Sequence, residues 1–161
     1  MWPSIALLAF VTFQRLVELP IARANTRRLL AAGGHEVGAG HYPLIVALHA
    51  SWLITLWWLA PDRPILIPFL ILFALIEAGR IWVLRTLGQR WTTRIIVVPG
   101  ETLVAGGPYR FAKHPNYLVV IGEIAVLPLV FGLWQVALIF SLLNAAVLTI
   151  RIRAENRALG R

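Results

Sequence analysis

The chain of 161 residues contains no cysteine, a single methionine and only seven acidic residues. The missing thiols exclude disulfide bonds, thiolate-bound metals and cysteine nucleophiles. Charged residues make up 14% of the sequence and hydrophobic residues 59%, whereas a soluble domain has about 25% charged residues. A small soluble domain cannot cover that much apolar surface. The composition therefore excludes a disordered chain, argues against a soluble enzyme and predicts an integral membrane protein.

Five apolar stretches follow one another along the chain. A helix needs about 20 apolar residues to cross a bilayer, and the first three stretches are long enough. The last two are short and meet near Pro128 and Gly132, so they are either two tilted helices or a hairpin that does not fully cross. We predict an all-α, polytopic membrane protein with about five transmembrane helices, a cytoplasmic loop and a C-terminal helix. The stretches are Trp2–Ala22, Pro43–Ala60, Pro64–Leu84, Tyr117–Phe131 and Trp134–Ile150.

The basic residues are concentrated in three segments that border the apolar stretches. Twelve Lys and Arg residues lie there, whereas the two opposite connections carry only Arg63. Because cytoplasmic segments carry an excess of basic residues, this asymmetry predicts an N-terminus outside and a C-terminus in the cytoplasm. The net charge of +8 then reflects topology, and no nucleic-acid partner is expected. The twelve residues are Arg23, Arg27, Arg28, Arg85, Arg90, Arg94, Arg110, Lys113, Arg151, Arg153, Arg157 and Arg161.

The largest polar segment, between the third and fourth apolar stretches, ends in turn-forming and basic residues. Two glycines and a proline at 106–108 permit tight turns and close backbone approach. Pro115 falls at the first turn of the next helix, where proline is tolerated, so Arg110, Lys113 and His114 lie beside a helix N-terminus. That end favours an anionic group such as a carboxylate. The alternative is that these cations meet lipid phosphates at the membrane surface.

Residues 107–117, which read Gly-Pro-Tyr-Arg-Phe-Ala-Lys-His-Pro-Asn-Tyr, resemble the first signature of the isoprenylcysteine carboxyl methyltransferase family. Residues 151–159 resemble its second signature, in which two adjacent acids precede a leucine. A short apolar hairpin separates the two, as in the family. The resemblance covers the chain from Arg90 onward, and the N-terminal half is more similar to the short bacterial branch. Asn156 stands where the second acid is usual; it keeps an acceptor oxygen but lacks the charge.

The resemblance implies a membrane-embedded methyltransferase that uses S-adenosylmethionine, whose loop and C-terminal segment close over the cofactor. The cofactor's carboxylate, ammonium and sulfonium groups suit basic, acidic and aromatic side chains. We expect one membrane domain over residues 1–161, with a three-helix part at 1–84 and a cofactor-binding part at 85–161. No metal is expected. The implied cofactor-binding residues are Gly107, Tyr109, Arg110, His114, Pro115, Tyr117, Glu155 and Asn156.

Polar side chains inside the apolar stretches are the remaining candidates. A charge at mid-bilayer costs about 2.5–3.5 kcal/mol, so it usually faces a partner or a cavity. Arg15 and Glu18 are three residues apart, as are Glu77 and Arg80, so each pair is expected to meet on one helix face. Glu123 has no such partner and is therefore a candidate catalytic group. The candidate catalytic residues are Glu123, Glu155 and His49, the last of which has helix–helix hydrogen bonding as its alternative role.

The resemblance also indicates which chemical group accepts the methyl group. The short bacterial branch is associated with O-methylation of lipidic polyketides, which implies a phenolic or enolic hydroxyl of an alkylpyrone or alkylresorcinol. A prenylcysteine-type carboxylate is the other acceptor considered, and it needs no base, whereas a hydroxyl benefits from one. The expected partners are thus a lipophilic small molecule and membrane lipids. Two alternatives are a phospholipid N-methyltransferase and a small non-catalytic membrane protein or transporter, although the latter does not explain the tandem signatures.

Overall fold

The computed structural model describes residues 1–160, so Arg161, counted above among the cytoplasmic basic residues, lies outside the described part. Within that part the chain is predominantly helical, and the predicted all-α, polytopic class is confirmed. Two short strands that form a small sheet are the exception. In chain order the elements are α1 (Trp2–Ala31), β1 (His35–Val37), α2 (Tyr42–Leu59), α3 (Ile67–Leu87), β2 (Ile95–Val97), α4 (Pro115–Val130) and α5 (Trp134–Leu159).

Four of these helices are long and apolar enough to span a membrane, and α4 is shorter. The 16 residues of α4 rise about 24 Å, less than the hydrocarbon core of about 30 Å. Gly132, with a φ of 69°, lies in the turn that joins α4 to α5. Positive φ favours glycine, because other residues pay a steric cost there. The last two apolar stretches therefore form a hairpin with one short and one long helix.

Two helices extend beyond the apolar stretches that predicted them. The sequence predicts an end at Ala22, but α1 continues to Ala31. Likewise α5 continues past Ile150 to Leu159. Neither extension contains glycine or proline, so nothing in the backbone interrupts the helical hydrogen bonds. Both extensions carry polar residues that contact the segment between α3 and α4.

The apolar core lies where the five helices meet. Trp52 of α2 is buried there, and its indole N–H donates to the carbonyl of Ile124 on α4 at 3.3 Å. Many large apolar side chains instead lie on the outside of the bundle, among them Phe13, Leu75 and Leu142. A protein with apolar residues both inside and outside is suited to lipid rather than water. The other core residues include Leu8, Val11, Leu56, Phe73, Leu127, Val130 and Phe131.

Charged side chains connect α1, α3 and α4 in the middle of the bundle. Arg80 of α3, only 7% exposed, donates to the carboxylate of Glu18 and to both oxygens of Glu123 at 3.2 Å. Arg15 of α1 donates to Glu123 at 2.5 Å. We call these four residues the intramembrane cluster. The prediction that Glu123 lacks a partner is wrong, because guanidinium groups of two other helices reach it.

The two pairings expected within single helices have different outcomes. Arg15 lies 3.6 Å from Glu18, so the first expected pair is confirmed. The second is wrong: Glu77 accepts a hydrogen bond from Gln14 at 2.7 Å, while Arg80 binds the acids of α1 and α4 within residues 1–160. The reason is that helix packing places those carboxylates where the planar guanidinium can contact both.

Loss of the Arg80 guanidinium is expected to destabilise the bundle strongly. Arg80→Met leaves two buried carboxylates with less compensation, and removing one partner of a buried ion pair costs about 3–5 kcal/mol. Arg85→Met on the same helix is the matched control, because the Arg85 side chain is exposed and its replacement changes stability by less than about 0.5 kcal/mol. Thermal unfolding in detergent measures both variants. Equal melting temperatures for the two variants would contradict the conclusion that the intramembrane cluster stabilises the bundle.

Candidate functional site

The segment between α3 and α4 folds over one end of the bundle and encloses a cavity of about 200 Å³. Its walls come from residues 90–98 and 101–104, from the turn before α4 and from the last part of α5. We call it the loop cavity. Its polar and aromatic lining residues include Tyr109, Lys113, His114, Tyr117, Arg151 and Glu155.

One apolar wall of the loop cavity is the strand β2. Its residues Ile95, Ile96 and Val97 are β-branched and favour extended structure. The strand covers Ile95–Val97. The partner strand β1 was not predicted, and it pairs antiparallel with Glu36 opposite Ile96. Beside the sheet, Arg94 binds Glu36 at 2.7 Å, which fixes the position of the strand pair.

The extension of α1 holds the neighbouring wall. The buried amide of Asn25 donates to the carbonyl of Trp91 at 2.7 Å. One residue further along α1, the Thr26 hydroxyl lies 2.6 Å from the Thr92 hydroxyl. Trp91 is itself only 3% exposed. The N-terminal helix, which carries no part of the two signatures, thus positions residues that line the loop cavity.

The turn before α4 depends on residues that the first signature contains. Gly107 has a φ of 55°, and a Cβ there would lie 2.4 Å from the Thr86 hydroxyl oxygen. Only glycine therefore lets the chain approach α3 so closely. His114 is the N-cap of α4 and Pro115 its first residue, as the sequence predicts. This arrangement sets the imidazole at the helix N-terminus.

The two signatures meet at His114. One ring nitrogen, Nδ1, lies 3.5 Å from Glu155 Oε2, and the other, Nε2, lies 3.0 Å from Asn156 Oδ1. The ring is also 5.4 Å from that of Tyr117, measured between centroids. Glu155 Oε2 is buried and has no hydrogen-bond partner among residues 1–160. The imidazole is therefore hydrogen-bonded to Asn156 on one side, while the Glu155 oxygen on its other side lies at ion-pair distance and accepts no hydrogen bond within residues 1–160.

Arg151 is a lining residue that the sequence prediction assigned only to topology. It is 5% exposed and donates to the carbonyl of Thr93 at 3.0 Å. It also interacts with the Tyr117 hydroxyl, as Glu155 does. The spacing of four residues between Arg151 and Glu155 could have indicated that Arg151 also faces the cavity, since residues at that spacing share a helix face.

The predicted cofactor residues fall into three groups. Four of them line the loop cavity, namely Tyr109, His114, Tyr117 and Glu155. Three others support these residues without lining the cavity. Asn156 lies within hydrogen-bond distance of His114, Gly107 permits the tight turn, and Pro115 begins α4. Arg110 is exposed and is not among the residues that line the cavity.

The other two candidate catalytic residues lie deeper in the bundle. Glu123 belongs to the intramembrane cluster. The Nδ1 atom of His49 is 2.9 Å from the carbonyl of Ile45, one turn earlier on the same helix, and its ring meets that of Trp52 edge-on at 6.5 Å. The hydrogen bond of His49 is thus within α2 rather than between helices. Neither residue lines the loop cavity.

Comparison with known proteins agrees with the two signatures. The model of the isoprenylcysteine carboxyl methyltransferase family matches residues 69–161, more than half of the chain. The chain is also 38% identical to the uncharacterized protein YpbQ of Bacillus subtilis (strain 168), over 95% of this chain and 94% of that protein. No solved structure matches. The chain therefore belongs to the isoprenylcysteine carboxyl methyltransferase family.

Proposed function

We propose that the protein is an S-adenosylmethionine-dependent O-methyltransferase, that the loop cavity binds the cofactor, and that the acceptor is lipidic. The observation that carries the proposal is the buried oxygen of Glu155, which has no hydrogen-bond partner in the part of the chain that the structure describes. A buried carboxylate oxygen without a partner is costly, and the ammonium group of the cofactor would satisfy it. Family membership supports methyl transfer as the reaction.

The lining of the loop cavity fits the remaining groups of the cofactor. Arg151 and His114 are basic groups of the lining, and they suit the carboxylate. The rings of Tyr109 and Tyr117 suit the sulfonium, because a cation is attracted to an aromatic face. The apolar β2 wall suits the adenine ring. The same cavity therefore offers complementary groups for each part of the molecule.

The protein contributes to the reaction mainly by holding the reacting groups in position. S-adenosylmethionine, when bound, supplies an electrophilic methyl group. The residues of the loop cavity hold the cofactor in one orientation, and the folded segment over it limits access of water. Such alignment can supply several kcal/mol of the barrier, about 7–11 in favourable cases. Of the three candidate catalytic residues, Glu155 is the one in the cavity, and we assign it cofactor binding.

Glu123 and His49 receive supporting roles in this proposal. The Glu123 carboxylate is bound by the guanidinium groups of Arg15 and Arg80, so its oxygens are already engaged within the bundle. His49 lies close enough to these charges to interact with them electrostatically. We propose that both residues position the helices below the cofactor and do not take a proton from the acceptor.

We also propose that the loop cavity faces the cytoplasm, with the N-terminus outside, in a bacterial inner membrane. The distribution of basic residues supports this orientation, since eleven of the fourteen Lys and Arg residues that the structure describes belong to the segments at the end of the bundle where the cavity lies. The cofactor is then reached from the cytoplasm and the acceptor from the lipid.

Arg151→Gln and Glu155→Gln are expected to weaken S-adenosylmethionine binding by about 10–100-fold each, because each removes a charge-assisted hydrogen bond of about 1.5–3 kcal/mol. Arg153→Gln is the matched control, two residues along the same helix, with an exposed side chain. Isothermal calorimetry in detergent measures all three. Undiminished binding in the first two variants would remove both residues from the site, and no binding by the unmodified protein would refute the proposed cofactor.

The acceptor is tested by transfer of radiolabelled methyl groups to three lipids: an alkylresorcinol, a prenylcysteine and phosphatidylethanolamine. We expect the alkylresorcinol to be labelled at least about tenfold faster than the other two, a difference of about 1.4 kcal/mol in barrier height. Preferential labelling of phosphatidylethanolamine would replace the proposal with N-methylation, and preferential labelling of prenylcysteine would replace it with carboxylate methylation.

The orientation is tested with single cysteines, because the chain has none of its own. Asp62→Cys lies between α2 and α3, and Ala39→Cys lies between β1 and α2, at the opposite end of the bundle. In intact cells a membrane-impermeant maleimide is expected to label Asp62→Cys, and to label Ala39→Cys only after permeabilisation. The reverse pattern would invert the orientation.

A further inference from the structure

The turn before α4 presents a large apolar side chain on the outside of the protein. Phe111 is 80% exposed, and its ring lies 6.3 Å from that of Trp82 on α3, measured between centroids. Trp82 is half exposed and lies near the end of the third apolar stretch. The two rings therefore lie where α3 leaves the membrane, the level at which aromatic side chains are enriched.

Two arginines border these rings. Arg85 follows Trp82 by three residues and so lies beside it on α3, and Arg110 directly precedes Phe111. Both arginine side chains are exposed, and neither has a hydrogen bond or an ion pair with another residue in 1–160. We call Trp82, Arg85, Arg110 and Phe111 the interfacial surface.

The acidic residues of the chain, all seven of which the structure describes, lie elsewhere. Three are buried inside the bundle, two bind other arginines, one lines the loop cavity and one lies between α2 and α3 at the opposite end. The interfacial surface thus carries two positive charges that no carboxylate of the protein neutralises. In the same order the acids are Glu18, Glu77, Glu123, Glu36, Glu101, Glu155 and Asp62.

This combination of charge and aromatic rings matches an anionic phospholipid. A guanidinium group binds two phosphate oxygens at once through its planar N–H groups, and basic residues beside a membrane attract anionic lipid. The rings of Trp82 and Phe111 contact the upper part of the acyl chains, whereas a free phosphate would leave them uncovered. A zwitterionic headgroup matches less well, because its own ammonium group offsets the charge of the phosphate.

The same turn carries residues of the loop cavity on its inner side. Tyr109 and His114 line that cavity, and Pro108 is buried between the two sides. Backbone hydrogen bonds of 3.1 Å, from Tyr109 to the carbonyl of Gly106 and from Phe111 to the carbonyl of Pro108, make the turn one unit. A ligand that fixes Phe111 on the outside therefore also restricts the position of Tyr109 on the inside.

We propose that the interfacial surface binds one anionic phospholipid, with its phosphate held by Arg85 and Arg110, and that the bound lipid holds the turn in the position that favours cofactor binding. The second part rests on the proposed function, since it assumes that the loop cavity takes S-adenosylmethionine. The first part does not. The lipid acts from outside the loop cavity and is not the methyl acceptor.

The lipid site is tested by native mass spectrometry of the protein in detergent, titrated with phosphatidylglycerol or phosphatidylcholine. We expect the protein to bind phosphatidylglycerol more tightly. The double variant Arg85→Gln/Arg110→Gln is expected to weaken this binding by about fivefold for each arginine removed. Arg153→Gln/Arg157→Gln is the matched control, because it removes the same charge from two exposed positions of α5, and it is expected to bind like the unmodified protein.

A third variant separates a lipid from a free anion. Phe111→Ser is expected to weaken binding of phosphatidylglycerol, and inorganic phosphate at the same concentration is expected not to displace the lipid. Equal weakening in both double variants, or in neither, overturns the site. Displacement by inorganic phosphate, together with undiminished lipid binding in Phe111→Ser, overturns the lipid as its ligand.

The effect on the cofactor site is measured by calorimetry with S-adenosylhomocysteine in phosphatidylcholine nanodiscs, with and without phosphatidylglycerol. We expect the anionic lipid to tighten binding by about fivefold or more in the unmodified protein and in Arg153→Gln/Arg157→Gln, and to have no effect in Arg85→Gln/Arg110→Gln. Equal affinity in both nanodiscs overturns the second part of the proposal. Absence of binding in both refutes the proposed cofactor and that second part with it, whereas the lipid titration tests the site by itself.

Discussion

Two guanidinium groups in the middle of an apolar bundle restrict how its helices can be arranged. Arg15 and Arg80 remain charged there because carboxylates of other helices contact them, with Glu18 and Glu123 as the partners. Each contact requires particular heights and rotations of α1, α3 and α4. Because α4 begins at the turn over the loop cavity, the intramembrane cluster also fixes the height of Tyr117 and His114 relative to α1. The geometry of the cavity thus depends on charges that lie outside it.

Local patterns in the sequence predicted the helices, and the family resemblance indicated several residues that the structure brings to the loop cavity. The apolar stretches predicted five helices, because a span of given length in lipid has few alternatives to a helix. The turn at Gly107 and the start of α4 at Pro115 were predictable, since each follows from the conformational limits of one residue type. The meeting of His114 with Glu155 was implied by the two signatures, since the intervening hairpin returns the chain to the same end of the bundle.

Features that depend on contacts between distant helices were not predictable in this way. The partners of Arg80 and Glu123 are decided by the relative rotation of three helices, whereas the sequence shows spacing only within each one. Arg151 was assigned to topology because a basic residue at the end of a span has the same sequence pattern whether it faces lipid or a cavity. Strand β1 has three residues, too few for a periodic pattern, and forms because β2 offers it a partner.

The hydrogen bonds from Asn25 and Thr26 have a consequence for how this protein can be divided. The family model begins at residue 69, yet the walls formed by Trp91 and Thr92 are fastened to α1. The matched segment therefore does not contain all the side chains that hold the loop cavity. Joined to a different N-terminal helix, it would lose the hydrogen bonds from Asn25 and Thr26 that hold one wall.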